Sequence, residues 1–98
     1  MVTFTWKPGT TEEQIRFLTE GLATLPPRIG AIRSFDFGSD AGLVEGNADF
    51  AVVARFADGA GYREYAAHPA HRAVIEERVL PILGARMAVQ FVVPDGGS

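Results

Sequence analysis

Tyr65 and His71 stand six residues apart in the run Glu64-Tyr65-Ala66-Ala67-His68-Pro69-Ala70-His71. A histidine takes up and returns protons near neutrality, because its ordinary pKa is about 6.5. A tyrosine hydroxyl donates a hydrogen bond to an oxygen on which negative charge develops. Together the two suit removal of a proton from a carbon beside a carbonyl. On one unbroken helix a spacing of six puts side chains on opposite sides. The break at Pro69 lets them converge. A plainer reading stands beside this one: the Tyr65 ring packs under the helix and His71 bonds nearby backbone. His68, directly before Pro69, occupies the place of an N-cap residue. His68 and His71, with Glu64 or Glu76, also have the composition of a two-histidine, one-carboxylate metal set. No further ligand is identifiable, so no metal centre is expected.

Other residues fit a binding role. Phe4, Trp6, Phe50 and Phe91, with Phe35, Phe37 and Phe56, can line a cavity for an aromatic or acyl ligand. They serve equally as core and dimer interface, which a chain this small needs in order to fold. Arg33 and Arg55 lie within candidate strands, where a charge calls for a partner or for water. Asp36 and Asp49 are the candidate partners for a surface ion pair, and an anionic ligand is the alternative. Phe4, Trp6, Phe50, Phe91, Arg33 and His68 are therefore the candidate ligand contacts. Glu76-Glu77-Arg78 reads as a solvated helix face. The glycines between Gly38 and Gly46 lack the Gly-Lys-Ser/Thr ending of a phosphate loop.

The elements that must position these groups follow from periodicity. Val2, Phe4 and Trp6 alternate with Thr3 and Thr5, as in a strand. Thr10 or Thr11, with Glu13 or Gln14, forms a capping box. Ile15, Leu18, Leu22 and Leu25 then make one helical stripe, ended by Pro26-Pro27. Strands are predicted over Ile29 to Phe37 and Asp49 to Phe56, joined by a mobile Gly38-to-Ala48 connection. A short helical segment follows around Gly61 to Ala67. Pro69 opens a second helix that runs to about Leu83 and is kinked or ended by Pro81. The last strand is predicted over Met87 to Val93. The order β-α-β-β-α-β implies a ferredoxin-like α+β layer, an antiparallel sheet with its helices on one face.

In that fold the second sheet face should be polar, yet the third and fourth strands carry hydrophobes on both sides. An exposed apolar sheet face is rarely left in water. The expectation is a homodimer with two sheets closed face to face.

Composition bounds the rest. With 98 residues, the chain makes one domain over 1–94 with a short flexible tail over 95–98. Hydrophobic residues are 47% and charged residues 21%, the balance of a globular protein rather than a disordered one. A net charge of −3 argues against a nucleic-acid partner. The absence of cysteine excludes disulfides, iron–sulfur clusters and thiol nucleophiles. No apolar run reaches a membrane span and no signal-peptide pattern is present, so a cytoplasmic protein with no membrane partner is expected. Eight arginines against one lysine suggest a GC-rich bacterial genome.

The Tyr-x-x-His-Pro-x-His run, the segment Phe4-Thr5-Trp6-Lys7-Pro8-Gly9-Thr10 and the Asp49-to-Phe56 strand together resemble the stress-responsive A/B barrel (Dabb) family. The similarity extends from about Val2 to Pro94. The resemblance implies a dimeric α+β barrel with the helices outside. The family is functionally mixed: many members have no assigned reaction, plant members include heat-stable and defence proteins, and olivetolic acid cyclase closes a linear polyketide by aldol condensation. Carried over by the shared motif, His71 would be the general base and Tyr65 its orienting and oxyanion-contacting partner, with no cofactor. Many members also hold a histidine before or within the first strand, where this chain reads Met1-Val2-Thr3. Three roles stay open: a binding protein for a small, mostly apolar ligand, a polyketide-cyclase-like enzyme, and a structural stress-stability dimer with a filled core.

Overall fold

The chain runs β1 (Val2–Trp6), α1 (Glu12–Ala23), α2 (Leu25–Arg28), β2 (Ser34–Ser39), β3 (Phe50–Arg55), α3 (Gly59–Ala67), α4 (Pro69–Val74) and β4 (Leu83–Ala88) in a computed structural model. That structure describes residues 1–94, so the tail expected over 95–98 lies outside the described residues. The sheet order is β2-β3-β1-β4 with every pair antiparallel, the ferredoxin-like arrangement expected from the sequence.

Of the two capping registers, the chain uses Thr11. Its hydroxyl accepts from the Gln14 N–H, and the Gln14 side chain accepts from the Thr11 N–H. The stripe then buries Leu18, Leu22 and Leu25, with Ile15 half-buried. Pro26 and Pro27 do not stop the chain's helical course as expected. They sit in the first turn of α2, where a missing N–H costs nothing. Ile29 closes that turn by donating to the Leu25 carbonyl and is itself core. Consequently β2 begins at Ser34, five residues later than predicted.

The final strand is also displaced, starting at Leu83 rather than Met87. After α4 the helix widens into a π turn over Ile75–Val79 and tightens into a 3-10 turn over Leu80–Ile82. Pro81 thus ends it where the sequence suggested. Gly84 then crosses β1 so closely that a Cβ there would stand 2.9 Å from the Thr5 carbonyl oxygen. The ladder breaks register at this point, between Thr5 and Trp6. It runs out near Val89, whose N–H and C=O both pair with Met1. The apolar alternation through Val93 belongs to chain that has passed the end of β1.

Register assigns the two sheet faces. Phe4, Phe50, Val52, Phe35 and Phe37 point to the helices and join Leu18, Leu22, Tyr65, Val74 and Val79 in one core. Thr3, Thr5, Ala51, Val53, Asp36, Ala85 and Met87 lie on the opposite, uncovered face. That face is mixed rather than largely apolar. Its exposed hydrophobes are Val53 and Met87, and Val89, Phe91 and Val92 beyond the strand are exposed as well.

Candidate functional site

The geometry at Tyr65 and His71 is built by the break between α3 and α4. Asp58 caps α3 by accepting from the Gly61 N–H. His68 leaves helical geometry, with φ −65° and ψ 133°, and its Nδ1 accepts from the Ala70 N–H at 3.0 Å. It is a histidine N-cap, with Pro69 in the first turn. The step redirects α4 so that the Tyr65 and His71 rings meet with centroids 4.2 Å apart. Phe35, Phe56 and Tyr62 close around Tyr65 at 6.1, 5.1 and 6.5 Å.

The His71 Nδ1 lies 3.3 Å from the Ala66 carbonyl oxygen. A carbonyl only accepts, so this contact places the proton on Nδ1 and leaves the Nε2 lone pair unused. Burial lowers the His71 pKa below its usual value, the Ala66 hydrogen bond partly opposes that, and the charges of Arg72 and Arg86 add to the lowering. The ring is therefore neutral at neutral pH. Burial pushes the Tyr65 hydroxyl up to about 12, with Tyr62 adding to the shift, so it remains a proton donor.

Among the described residues, one side-chain nitrogen or oxygen is both sealed from solvent and without a partner: Trp6 Nε1. The Tyr65 hydroxyl and His71 Nε2 make no hydrogen bond within the described residues either. The plainer reading accounts for the Tyr65 ring and for Nδ1 of His71. It gives no partner among the described residues to the Tyr65 hydroxyl or to His71 Nε2.

The other candidates are placed elsewhere. Phe4 and Phe50 are core, and Trp6 stacks on Phe4 at 5.4 Å with 22° between planes. Phe91 is 66% exposed beyond β4, and Arg33 is exposed at the entrance of β2, where its N–H donates to the Arg55 carbonyl. Asp49 is no ion-pair partner, since its carboxylate accepts from the Trp6 N–H at 2.8 Å. Among the described residues the one ion pair is Arg72–Glu76 at 3.9 Å, and no three His, Asp or Glu side chains gather as a metal would require. A depression of about 340 Å³ beside Thr3, Ser39, Asp40 and Asn47 does not include Tyr65 or His71.

Two arginines escaped the sequence reading. Arg78 is not part of a solvated face: it lies against Gly21 of α1, donates to the Phe17 carbonyl and covers the Phe17 ring at 3.9 Å. The π turn that aims it has no sequence signature. Arg86 falls on the helix-covered sheet face, opposite Phe4. Only the true register of β4 reveals this.

Comparison with known proteins agrees with the fold. A dimeric ferredoxin-like protein of unknown function from Thermobifida fusca is 39% identical, with 94% of this chain and 86% of that one covered and a TM-score of 0.87. A Dabb family protein with a ferredoxin-like fold from Mesorhizobium loti is 22% identical over 95% of this chain and 92% of that one, at a TM-score of 0.77. A dimeric protein of unknown function from Bacteroides fragilis is 22% identical over 90% and 87%, at 0.76. No curated protein matches the chain. Residues 1–93 match the Stress responsive A/B Barrel Domain, and the chain belongs to that family.

Proposed function

We propose that the protein is a homodimer that binds a small, mostly apolar carbonyl compound beside Tyr65 and His71 and moves a proton on it without a cofactor. The observation that carries this is the contact of the two rings with Nδ1 of His71 held by the Ala66 carbonyl. His71 Nε2 would take the proton from the carbon next to the carbonyl. Tyr65 would donate its hydroxyl hydrogen bond to the enolate oxygen. In an aldol closure the enolate carbon then bonds to a second carbonyl carbon. The oxygen of that carbonyl takes the proton back from the imidazolium, so the catalyst is regenerated. The dimeric state of the Thermobifida fusca protein and the exposed Val53 and Met87 on the open sheet face support the homodimer.

The test is hydrogen–deuterium exchange at the α-carbon of small aryl ketones in D2O. His71→Ala is expected to slow enzyme-dependent exchange about 10²–10⁴-fold and Tyr65→Phe about 10–10²-fold, with the fold kept. Exchange unaffected by either substitution would overturn the reading. The close stacking of Phe4, Trp6 and Phe50 favours a second reading, a structural dimer with a filled core. It predicts no exchange above buffer.

A further inference from the structure

The open sheet face carries a projection and a hollow in one row. The ladder sets Gly38 beside Ala51, Ala51 beside Thr3 and Thr3 beside Met87, so the four cross β2, β3, β1 and β4 in line. At the β4 end Met87 is 76% exposed and stands up from the sheet. At the β2 end the surface is low, and a Cβ at Gly38 would meet nothing within 4 Å. Gly38, Ala51 and Thr3 line the depression of about 340 Å³, which Asp40, Asn47 and Ala48 wall on the loop side. That wall has its own support, since the Asp40 carboxylate accepts from the Gly42 N–H and from Asn47 Nδ2.

We propose that the occupant of this depression is a second copy of the chain, with Met87 of each copy seated over Gly38 and Ala51 of the other. This rests on the homodimer reading and names its central contact. A two-fold dimer pairs one patch with itself, so a projection on that patch has to meet a hollow on it. Take two sheets face to face, with a two-fold axis parallel to the strands and midway between β3 and β1. That axis exchanges β4 with β2. The row then faces itself reversed, and Met87 stands over Gly38. An axis across the strands through this row would instead set Met87 against Met87 and leave both depressions unfilled, against the close packing of such interfaces. Methionine suits the role, because its unbranched, flexible side chain fills an irregular space. The dimeric Thermobifida fusca protein, 39% identical, favours a second copy as the occupant.

The chain has no cysteine, so thiols can be introduced one at a time. Gly38→Cys and Met87→Cys are made separately, and both substitutions fall on open space. The two are mixed and treated with a bismethanethiosulfonate whose two-carbon spacer suits facing sheets about 10 Å apart. A mixed dimer keeps one unaltered seat while its other seat holds the two thiols. The mixture is expected to give a covalent dimer joined between positions 38 and 87, located by mass spectrometry. Neither variant alone should give one, and Ala51→Cys in place of Gly38→Cys should bridge as well. Light scattering of the unaltered protein at micromolar concentration separates the two readings. A monomer there removes the homodimer and this inference with it. A dimer whose mixed variants fail to bridge, or in which Met87→Cys bridges to itself, would overturn the seat alone.

Discussion

His71 holds opposed requirements in one ring: burial that disfavours its charge, a carbonyl that fixes its tautomer, and an open Nε2. Because its folded pKa is lowered, the folded chain binds fewer protons than the unfolded one just below the unfolded value of about 6.5. The stability it contributes is complete above that pH and is lost as pH falls through the folded value. The thermal midpoint should therefore drop on acidification from about pH 7 to about pH 5, and less steeply in His71→Asn. Parallel slopes for the two proteins would remove His71 from the acid response. Enzyme-dependent exchange should show one acid limb with a midpoint below 6.5 and no alkaline limb before pH 9, since the Tyr65 hydroxyl titrates at about 12. Tyr65 and His71 were legible as a candidate pair because the motif, its proline break and its cap are all local in sequence. Arg86 and Arg78 were not, because their settings depend on strand register and on a π turn that no short pattern encodes.

At the scale of elements, β4 shows where local pattern loses to pairing. Met87 to Val93 alternates as well as any strand in the chain, yet pairing starts at Leu83 and ends where β1 runs out of residues. The same logic moved the start of β2, because Ile29 closes a helical turn before the ladder opens at Arg33. By contrast β3 was read almost to the residue, since flanking turns bound its alternation on both sides. Gly84 is what lets β4 begin so tightly against Thr5 and Trp6. Gly84→Ala has to displace backbone rather than a flexible side chain. It should cost about 1–3 kcal/mol in urea unfolding. A loss within about 0.3 kcal/mol would mean the bulge relaxes freely.

For the whole molecule, the proposed homodimer would close on the open sheet face. The sequence exaggerated its apolar character, because alternation beyond the end of the ladder was counted as strand. What remains is a mixed face centred on Val53 and Met87. Met87→Asp should shift the protein from dimer to monomer in light scattering at micromolar concentration, because a charge would be buried without a partner. A dimer that survives both this and Val53→Asp would place the interface elsewhere.

The outer layer is fastened differently from the way surface helices usually are. Arg78 ties the end of the second helical run to α1 through the Phe17 carbonyl and ring, with Gly21 leaving room for its stem. Neither contact is an ion pair. Dissolved electrolyte that weakens Arg72–Glu76 therefore has no carboxylate to screen here, and the two helices stay fastened in brine.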